Sequence, residues 1–169
     1  MWRAEIGINL HSLIVSADIQ YVKRYHHGMV RKATRPDLAA MLVQLARQTV
    51  AAEQPVLAAH GLSMWGYIVL SALDHSSIRT QAALAELIGA DKTRIIPTLD
   101  QLQEHGHIER IPDPEDRRAR LLAITESGRS VKNAAQVDIQ RSEERWLGEL
   151  SADDRSIFLR VLRQLTFGS

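Results

Sequence analysis

The chain has 169 residues, 45% of them hydrophobic and 24% charged, which suits one ordinary globular domain with a real core. Its net charge of +1 indicates no global electrostatic preference for a particular partner. The chain has no cysteine, which excludes disulfides, thiolate metal sites, cysteine nucleophiles and cysteine-based redox sensing.

The residue pattern of the N-terminal part of the chain differs from that of the remainder. Its apolar residues are faintly similar to a signal peptide, but Glu5, Asn9 and His11 interrupt them, and we reject that interpretation. No apolar run approaches the ~20 residues of a membrane-spanning helix, so we expect no membrane partner. We treat residues 1–33 as a tail without an assigned fold, and Met29 is an alternative start of the domain.

The first predicted helix begins at the sequence TRPD. Thr34 is the expected N-cap, with Pro36 in the first turn and Asp37 at the capping-box position. Apolar residues then recur at helical spacing. Pro55 predicts a kink or a break before the segment VLAAHG.

Three helices with their own N-caps are predicted next. Ser63 caps a helix that contains MWGYIVLSAL, and a short extended piece around Ile78 comes after it. Thr80 caps QAALAELIG, a helix of about two turns that Gly89 ends. Asp91 caps the third helix, KTRIIPTLDQLQEH, which a second glycine closes.

The chain then changes from helical to alternating periodicity. HIERI and ARLLAIT alternate apolar and polar residues as strands do, and the polar turn PDPEDRR joins them, so a hairpin is predicted. Thr125 caps a long stretch after the hairpin, and Ser151 with Asp154 forms a capping box for the last helix. The last helix carries an apolar stripe that suits packing against a second subunit, although ordinary intramolecular packing is the alternative: Ile157, Phe158, Val161, Leu162 and Leu165.

Two helices joined by a short turn and followed by a hairpin form a winged helix-turn-helix. The fold class is therefore mainly α, with a two-stranded β-hairpin as the wing. A helix of this kind fits the major groove of DNA, and the preceding helix supports it against the backbone. The hairpin can reach a neighbouring minor groove, where arginine is favoured.

The segment from residue 81 to residue 129 resembles the MarR family of transcriptional regulators. The wing sequence DPEDRR followed by LLAITESGR carries most of the resemblance. LAELIGADKT and LDQLQEHGHIER match the two helices and the first wing strand. The resemblance runs in order over residues 37–165 and does not cover residues 1–33.

Membership of this family implies a domain over residues 34–169. Residues 34–62 and 125–169 would be N- and C-terminal dimerisation helices, and residues 63–124 the winged unit. It implies a cytoplasmic homodimer that binds a pseudo-palindromic double-stranded DNA operator, most often as a repressor relieved by a small aromatic or lipophilic effector. No cofactor is implied, and no enzyme activity.

The resemblance also assigns roles to individual residues. Thr80 and Gln81 begin the supporting helix, whose amides suit a phosphate. Arg117 and Arg118 lie at the wing tip, and Asp91 is expected to pair with Arg118 and brace the wing. A larger set lies on or near the groove-facing side of the recognition helix: Lys92, Thr93, Arg94, Ile96, Pro97, Thr98 and Gln101.

Pro97 is unexpected inside a recognition helix, because an interior proline removes a backbone donor and costs about 3 kcal/mol. With Asp91 as N-cap, only the bond to the Thr93 carbonyl is lost, and a local bend absorbs the clash. The peroxide-sensing branch of the family carries Leu-Thr-Pro at the matching place. Peroxide sensing itself does not carry over, because it depends on a cysteine.

An effector pocket is expected near the start of the helix that Ser63 caps. His60, Met64, Trp65 and Tyr67 lie there, close to where family members form a crevice between the dimer helices and the winged unit. Trp65 serves equally well as ordinary core. A ligand in such a pocket acts by favouring one spacing of the two recognition helices.

Other functions have less support in the sequence. Opposite charges cancel between residues 79 and 103, which favours an alternative: a winged-helix protein-interaction module without DNA reading. The arginines at positions 94, 117 and 118 favour DNA. The seven histidines, among them His26, His27, His105 and His107, show no ligand spacing, so no metal site is expected. No phosphate loop, nucleophile elbow or triad indicates an enzyme.

Overall fold

The computed structural model describes residues 35–114, 116 and 120–168, with Arg120 described by its backbone only. Within these ranges six helices and two strands follow in chain order: α1 (Leu38–Ala59), α2 (Met64–His75), α3 (Gln81–Leu87), α4 (Lys92–Glu104), β1 (Ile108–Pro112), β2 (Arg120–Ile124), α5 (Glu126–Leu147) and α6 (Ala152–Phe167). The predicted tail over residues 1–33 and the wing-tip residues Arg117 and Arg118 lie outside the described residues. The predicted fold class, a mainly α winged helix-turn-helix, is confirmed.

The start of α1 differs from the prediction. Asp37, in extended conformation, is the N-cap, and its side chain makes no capping hydrogen bond, so the prediction of Thr34 as N-cap is wrong. Pro36 explains the shift, because a proline biases the residue before it away from the helical region. The predicted break at Pro55 is also wrong, since α1 continues through it to Ala59. Pro55 is exposed, so water can hydrate the carbonyl that it leaves unpaired.

The other predicted helix starts are confirmed. The side-chain oxygens of Ser63, Thr80, Thr125 and Ser151 each accept a hydrogen bond from the amide three residues further on, at 2.9–3.1 Å. Each such cap stabilises its helix by about 1 kcal/mol, because it satisfies a donor that the helix cannot. Local sequence therefore determines where most of the elements begin.

The wing is an antiparallel hairpin in which Ile108 pairs with Ile124. The predicted extended piece around Ile78 is confirmed as an isolated β-bridge: Ile78 and Leu122 exchange amide-to-carbonyl hydrogen bonds of 2.9 and 2.7 Å. The middle of β2 is thereby attached to the segment between α2 and α3. This attachment holds the wing beside the helix-turn-helix.

One hydrophobic core joins α2, α3, α4 and the wing, and α5 closes it. Buried side chains from each element meet there, including Leu70, Leu84, Ile95, Leu99, Leu102, Ile108, Leu122, Ala135 and Ile139. The inner stripe of α4 (Ile95, Leu99 and Leu102) is 1–3% exposed. The orientation of α4 is thus fixed by burial, and its opposite face is left for solvent or a ligand.

The two terminal helices leave apolar surface uncovered in a single chain. No residue of α6 is buried, and Leu165 and Phe167 are 79% and 84% exposed. The first turns of α1 also expose Leu38, Met41 and Leu42. Contiguous apolar surface of this kind marks an interaction site in a folded protein.

Among the described residues, no single helix is long and apolar enough to span a membrane. Only α1 and α2 taken together pass that test, and they meet at a bend of 84°.

Candidate nucleic-acid interface

The exposed face of α4 carries most of the predicted DNA contacts. Lys92, Thr93, Arg94, Ile96, Pro97 and Gln101 are exposed, whereas Thr98 is half-buried at the edge of the face. Pro97 lies inside a continuous helix, as the sequence required. The face is therefore open along the N-terminal half of α4, the part that winged helix-turn-helix proteins insert into a groove.

Asp91 is the N-cap of α4. Its Oδ1 accepts hydrogen bonds from the amides of Thr93 (2.8 Å) and Arg94 (3.3 Å) and a short one from the Thr93 hydroxyl. These bonds, that of the hydroxyl first, lower the pKa of Asp91 below its usual value. The expected partner in the wing, Arg118, lies outside the described residues, so that pairing stays a prediction.

A groove lined by basic residues adjoins the start of α4. It has a volume of about 430 Å³ and lies between the starts of α3 and α4 and the wing. Arg79, Lys92 and Arg110 bring positive charge to it, and Thr80 and Gln81 line it as well. Arg110 also donates to Gln103 Oε1 at 3.4 Å. This concentration of cations suits the phosphate backbone, although the total charge of the chain is nearly neutral.

Sequence reasoning missed Arg79 and Arg110 as members of this groove. In the sequence, Arg79 was only one of the opposite charges that cancel between residues 79 and 103. In space Arg79 and Lys92 lie beside the start of α4, and Arg110 lines the same groove from the wing while it reaches Gln103 near the end of the helix. The predicted hairpin placed Arg110 on β1, but its contact with α4 depends on tertiary packing.

The end of β1 nearest the wing tip is held by an ion pair that the sequence did not predict. Arg79 Nε lies 2.8 Å from Oδ2 of Asp113, and the Asp113 side chain is only 2% exposed. A buried carboxylate needs such a partner, because desolvation otherwise disfavours its charged form. Arg79, directly ahead of α3, supplies that partner for Asp113.

A second ion-pair cluster connects the winged unit with α5. Asp74, at the end of α2, accepts from Lys132 Nζ at 2.7 Å and from Arg129 Nε at 2.8 Å. These two hydrogen bonds, that of Lys132 first, lower the pKa of Asp74. The Lys132 side chain is only 10% exposed, so Asp74 supplies the counter-charge that its burial requires. The cluster ties α2 to α5.

The residues of the expected effector pocket divide between two environments. His60 lines an open groove of about 680 Å³ between α1 and α5, and its Nε2 lies 2.9 Å from Asp138 Oδ2. Met64, Trp65 and Tyr67 are half-buried and pack against the core. Tyr67 has a raised pKa, chiefly through burial and then through the charge of Glu53. The assignment of these residues to an effector stays a prediction.

Two half-buried acidic side chains lie together between α1 and α5. Glu53 and Glu143 line the same small cavity beside Trp146. Burial first, and then the charge of Glu143, raises the pKa of Glu53. The pKa of Glu143 is raised chiefly by burial too. Ionisation of either carboxyl is therefore less favourable in the folded protein than in the unfolded chain.

The histidines of the described part form no metal site. His105 and His107 lie with ring centroids 5.9 Å apart at the turn between α4 and β1. Burial, and then the neighbouring His105, lowers the pKa of His107. Among residues 35–114, 116 and 120–168 no group of three or more histidines or carboxylates is placed to hold a metal ion. His26 and His27 lie outside these ranges.

Comparisons with known proteins agree with this architecture. A sequence model described as "MarR family" matches residues 60–119, which cover most of the winged unit. The chain is 27% identical over 105 residues to the uncharacterised HTH-type transcriptional regulator YdgJ of Bacillus subtilis (strain 168), and the match covers 62% of this chain and 64% of YdgJ, just under two thirds of that relative's length. It is also 27% identical over 99 residues to the transcriptional regulator HosA of Escherichia coli O111:H-, covering 59% of this chain and 73% of HosA.

A solved structure extends the similarity to the flanking helices. The crystal structure of CouR from Rhodococcus jostii RHA1, bound to p-coumaroyl-CoA, superposes with a TM-score of 0.63 at 25% identity. The superposition covers 82% of this chain and 98% of that one. The similarity therefore includes helices on both sides of the winged unit.

Proposed function

Because the chain belongs to the MarR family of transcriptional regulators, we propose that it is a sequence-specific DNA-binding regulator that works as a homodimer. The observation that carries the proposal is the exposed N-terminal half of α4 beside the basic groove of Arg79, Lys92 and Arg110. The helix supplies contacts to base edges, and the groove supplies contacts to phosphate. This function places the protein in the cytoplasm, with the DNA.

The exposed apolar surfaces of α1 and α6 support the homodimer. A two-fold dimer pairs each surface with its own copy and repeats α4 about one helical turn away on the DNA. The operator is then pseudo-palindromic. Leu162→Asp, which places a charge on the α6 stripe, should give a monomer in light scattering, whereas Gln140→Asp, at an exposed polar position of α5, should remain dimeric. A dimeric Leu162→Asp variant would contradict this interface.

The basic groove and α4 should contribute in different ways. Lys92→Ala and Arg110→Ala are expected to weaken binding to all duplexes alike, because phosphate contacts carry no sequence information. Gln101→Ala is expected to relax the preference at one base pair by about 1–3 kcal/mol, since a glutamine reads adenine through two hydrogen bonds. Selection of duplexes from a random pool, followed by fluorescence anisotropy, separates the two effects. Recovery of no preferred duplex would refute the proposed function.

The wing residues Arg117 and Arg118 are proposed to reach the minor groove. Arg118→Ala should cost about 1–3 kcal/mol of operator affinity. Unchanged affinity would remove that role, and the Asp91–Arg118 pair with it.

We further propose that a small aromatic or lipophilic ligand releases the protein from DNA, so that it acts as a repressor. CouR, of similar fold, binds p-coumaroyl-CoA. His60, Met64, Trp65 and Tyr67 lie where α1 meets α2, next to the junction between dimer helices and winged unit. A ligand there acts only through different affinities for the two spacings of the recognition helices. Quenching of tryptophan fluorescence by candidate aromatic acids, lost in Trp65→Phe, tests this location.

A further inference from the structure

The exposed face of α4 has an apolar residue, Pro97, at its centre. The buried stripe of Ile95, Leu99 and Leu102 defines the inner side, and at 100° per residue Pro97 lies almost opposite to it. Ile96 flanks Pro97 and is 38% exposed, although isoleucine is usually buried. The two residues lie about 100° apart around the helix, and we call their combined exposed apolar surface the Ile96–Pro97 patch. The patch lies in the N-terminal half of α4, the half that we propose enters the major groove of DNA.

The charges around the patch determine which half of α4 approaches DNA. Lys92 and Arg94 precede it, and Arg79 and Arg110 lie in the adjoining groove. Asp100 and Glu104 come after it on the exposed face and repel phosphate. The N-terminal half of α4 is therefore expected to approach DNA most closely, with the Ile96–Pro97 patch facing the base edges in the major groove.

In the major groove, the apolar group that a base pair presents is the 5-methyl of thymine. Guanine is most often recognised by arginine or lysine, and α4 carries only Lys92 and Arg94 at its start. An aliphatic patch has no hydrogen bond to offer, but it gains free energy when it removes a methyl group from water.

We propose that the Ile96–Pro97 patch reads thymine methyl groups, so that each operator half-site presents at least one thymine to it in the major groove. This inference rests on the proposed function, since it names the base chemistry that α4 recognises. It also gives Pro97 a role: the ring adds apolar surface where the helix tolerates the loss of one hydrogen bond.

The test replaces single thymines by 2′-deoxyuridine, which removes only the 5-methyl group and leaves base pairing unchanged. The full chain and a duplex selected from a random pool are used, with affinities from fluorescence anisotropy. At the contacted thymine, the substitution should weaken binding about fourfold per half-site, the value for burying one methyl group, and about fifteenfold when made in both half-sites.

Protein variants assign the effect to the patch. Ile96→Ala or Pro97→Ala should bind the thymine and uracil duplexes almost equally. Val137→Ala, which shortens another exposed aliphatic side chain on α5, should retain the full uracil penalty. Thermal melts confirm that each variant is folded, which is expected because both patch residues are exposed.

The possible outcomes separate the inference from the proposed function. If a selective duplex shows no uracil penalty, or if the penalty persists in both patch variants, the patch does not read thymine, although the protein still reads DNA. If no selective duplex exists, the proposed function fails and the inference falls with it. A penalty that vanishes in a patch variant and persists in Val137→Ala establishes the inference.

Discussion

Pro97→Ala should stabilise the protein while it weakens DNA binding. Pro97 is the sixth residue of α4 and so the third whose amide would bond within the helix, to the carbonyl of Thr93. An interior proline costs about 3 kcal/mol relative to alanine. A local bend at Pro97 relieves part of the steric clash, so the cost here lies below that value. The expected net gain is therefore about 2 kcal/mol.

The assay is urea and thermal unfolding at one fixed protein concentration, because dimerisation makes the transition concentration-dependent. A gain of about 2 kcal/mol should raise the Tm by roughly 4–8 °C for a chain of this size. Gln101→Ala, at another exposed position of α4, is the matched control and should change stability by less than about 0.5 kcal/mol. An unchanged or lower Tm for Pro97→Ala would refute the account, since α4 would then gain nothing from the missing hydrogen bond.

Three further predictions concern the packing around the site. Gly128→Ala should lose about 1–3 kcal/mol in urea unfolding, because its Cβ would lie 2.0 Å from the His107 carbonyl oxygen, a backbone atom that cannot move aside; unchanged stability would contradict this close approach. Asp74→Asn should cost about 2 kcal/mol at pH 7 in urea unfolding, since Lys132 loses its counter-charge. Because folding lowers the pKa of Asp74, this stabilisation is complete above the pKa of the unfolded chain and is lost as the pH falls through the lower folded value, so the difference should begin to fade below about pH 4. Glu53→Gln should be more stable than wild type at pH 7. Because folding raises the pKa of Glu53, the wild type gains stability as the pH falls towards about 4.3, and melts from pH 8 to 4 should show this rise in the wild type and a weaker one in the variant.

Local sequence signals predicted most of the fold because they act over a few residues. Ser63, Thr80, Asp91 and Thr125 each cap the helix that they were predicted to cap. The same reasoning misplaced the start of α1, where the effect of Pro36 on its neighbour outweighed the capping preference of Thr34. The same reasoning overestimated the helix-breaking effect of Pro55. This residue is exposed near the end of α1, so water can hydrate the carbonyl that it leaves unpaired.

The site itself was predicted only where it lies on one element. The exposed residues of α4 follow from helical periodicity, because the buried positions are apolar and repeat every three to four residues. The basic groove does not, since Arg79, Lys92 and Arg110 come from three segments that only tertiary packing brings together. The same holds for Asp113 with Arg79 and for Asp74 with Lys132, whose partners are distant in sequence.

The central claim is that α4 and its basic groove read DNA. Fluorescence anisotropy of the purified protein, with duplexes from its own upstream DNA and a scrambled control at two salt concentrations, tests it most directly. The account predicts tight binding to one upstream duplex, weaker binding to the scrambled control, and a steep loss of affinity with salt from released counterions. Equal, weak binding to every duplex would contradict it and would favour a winged-helix module that binds a protein partner.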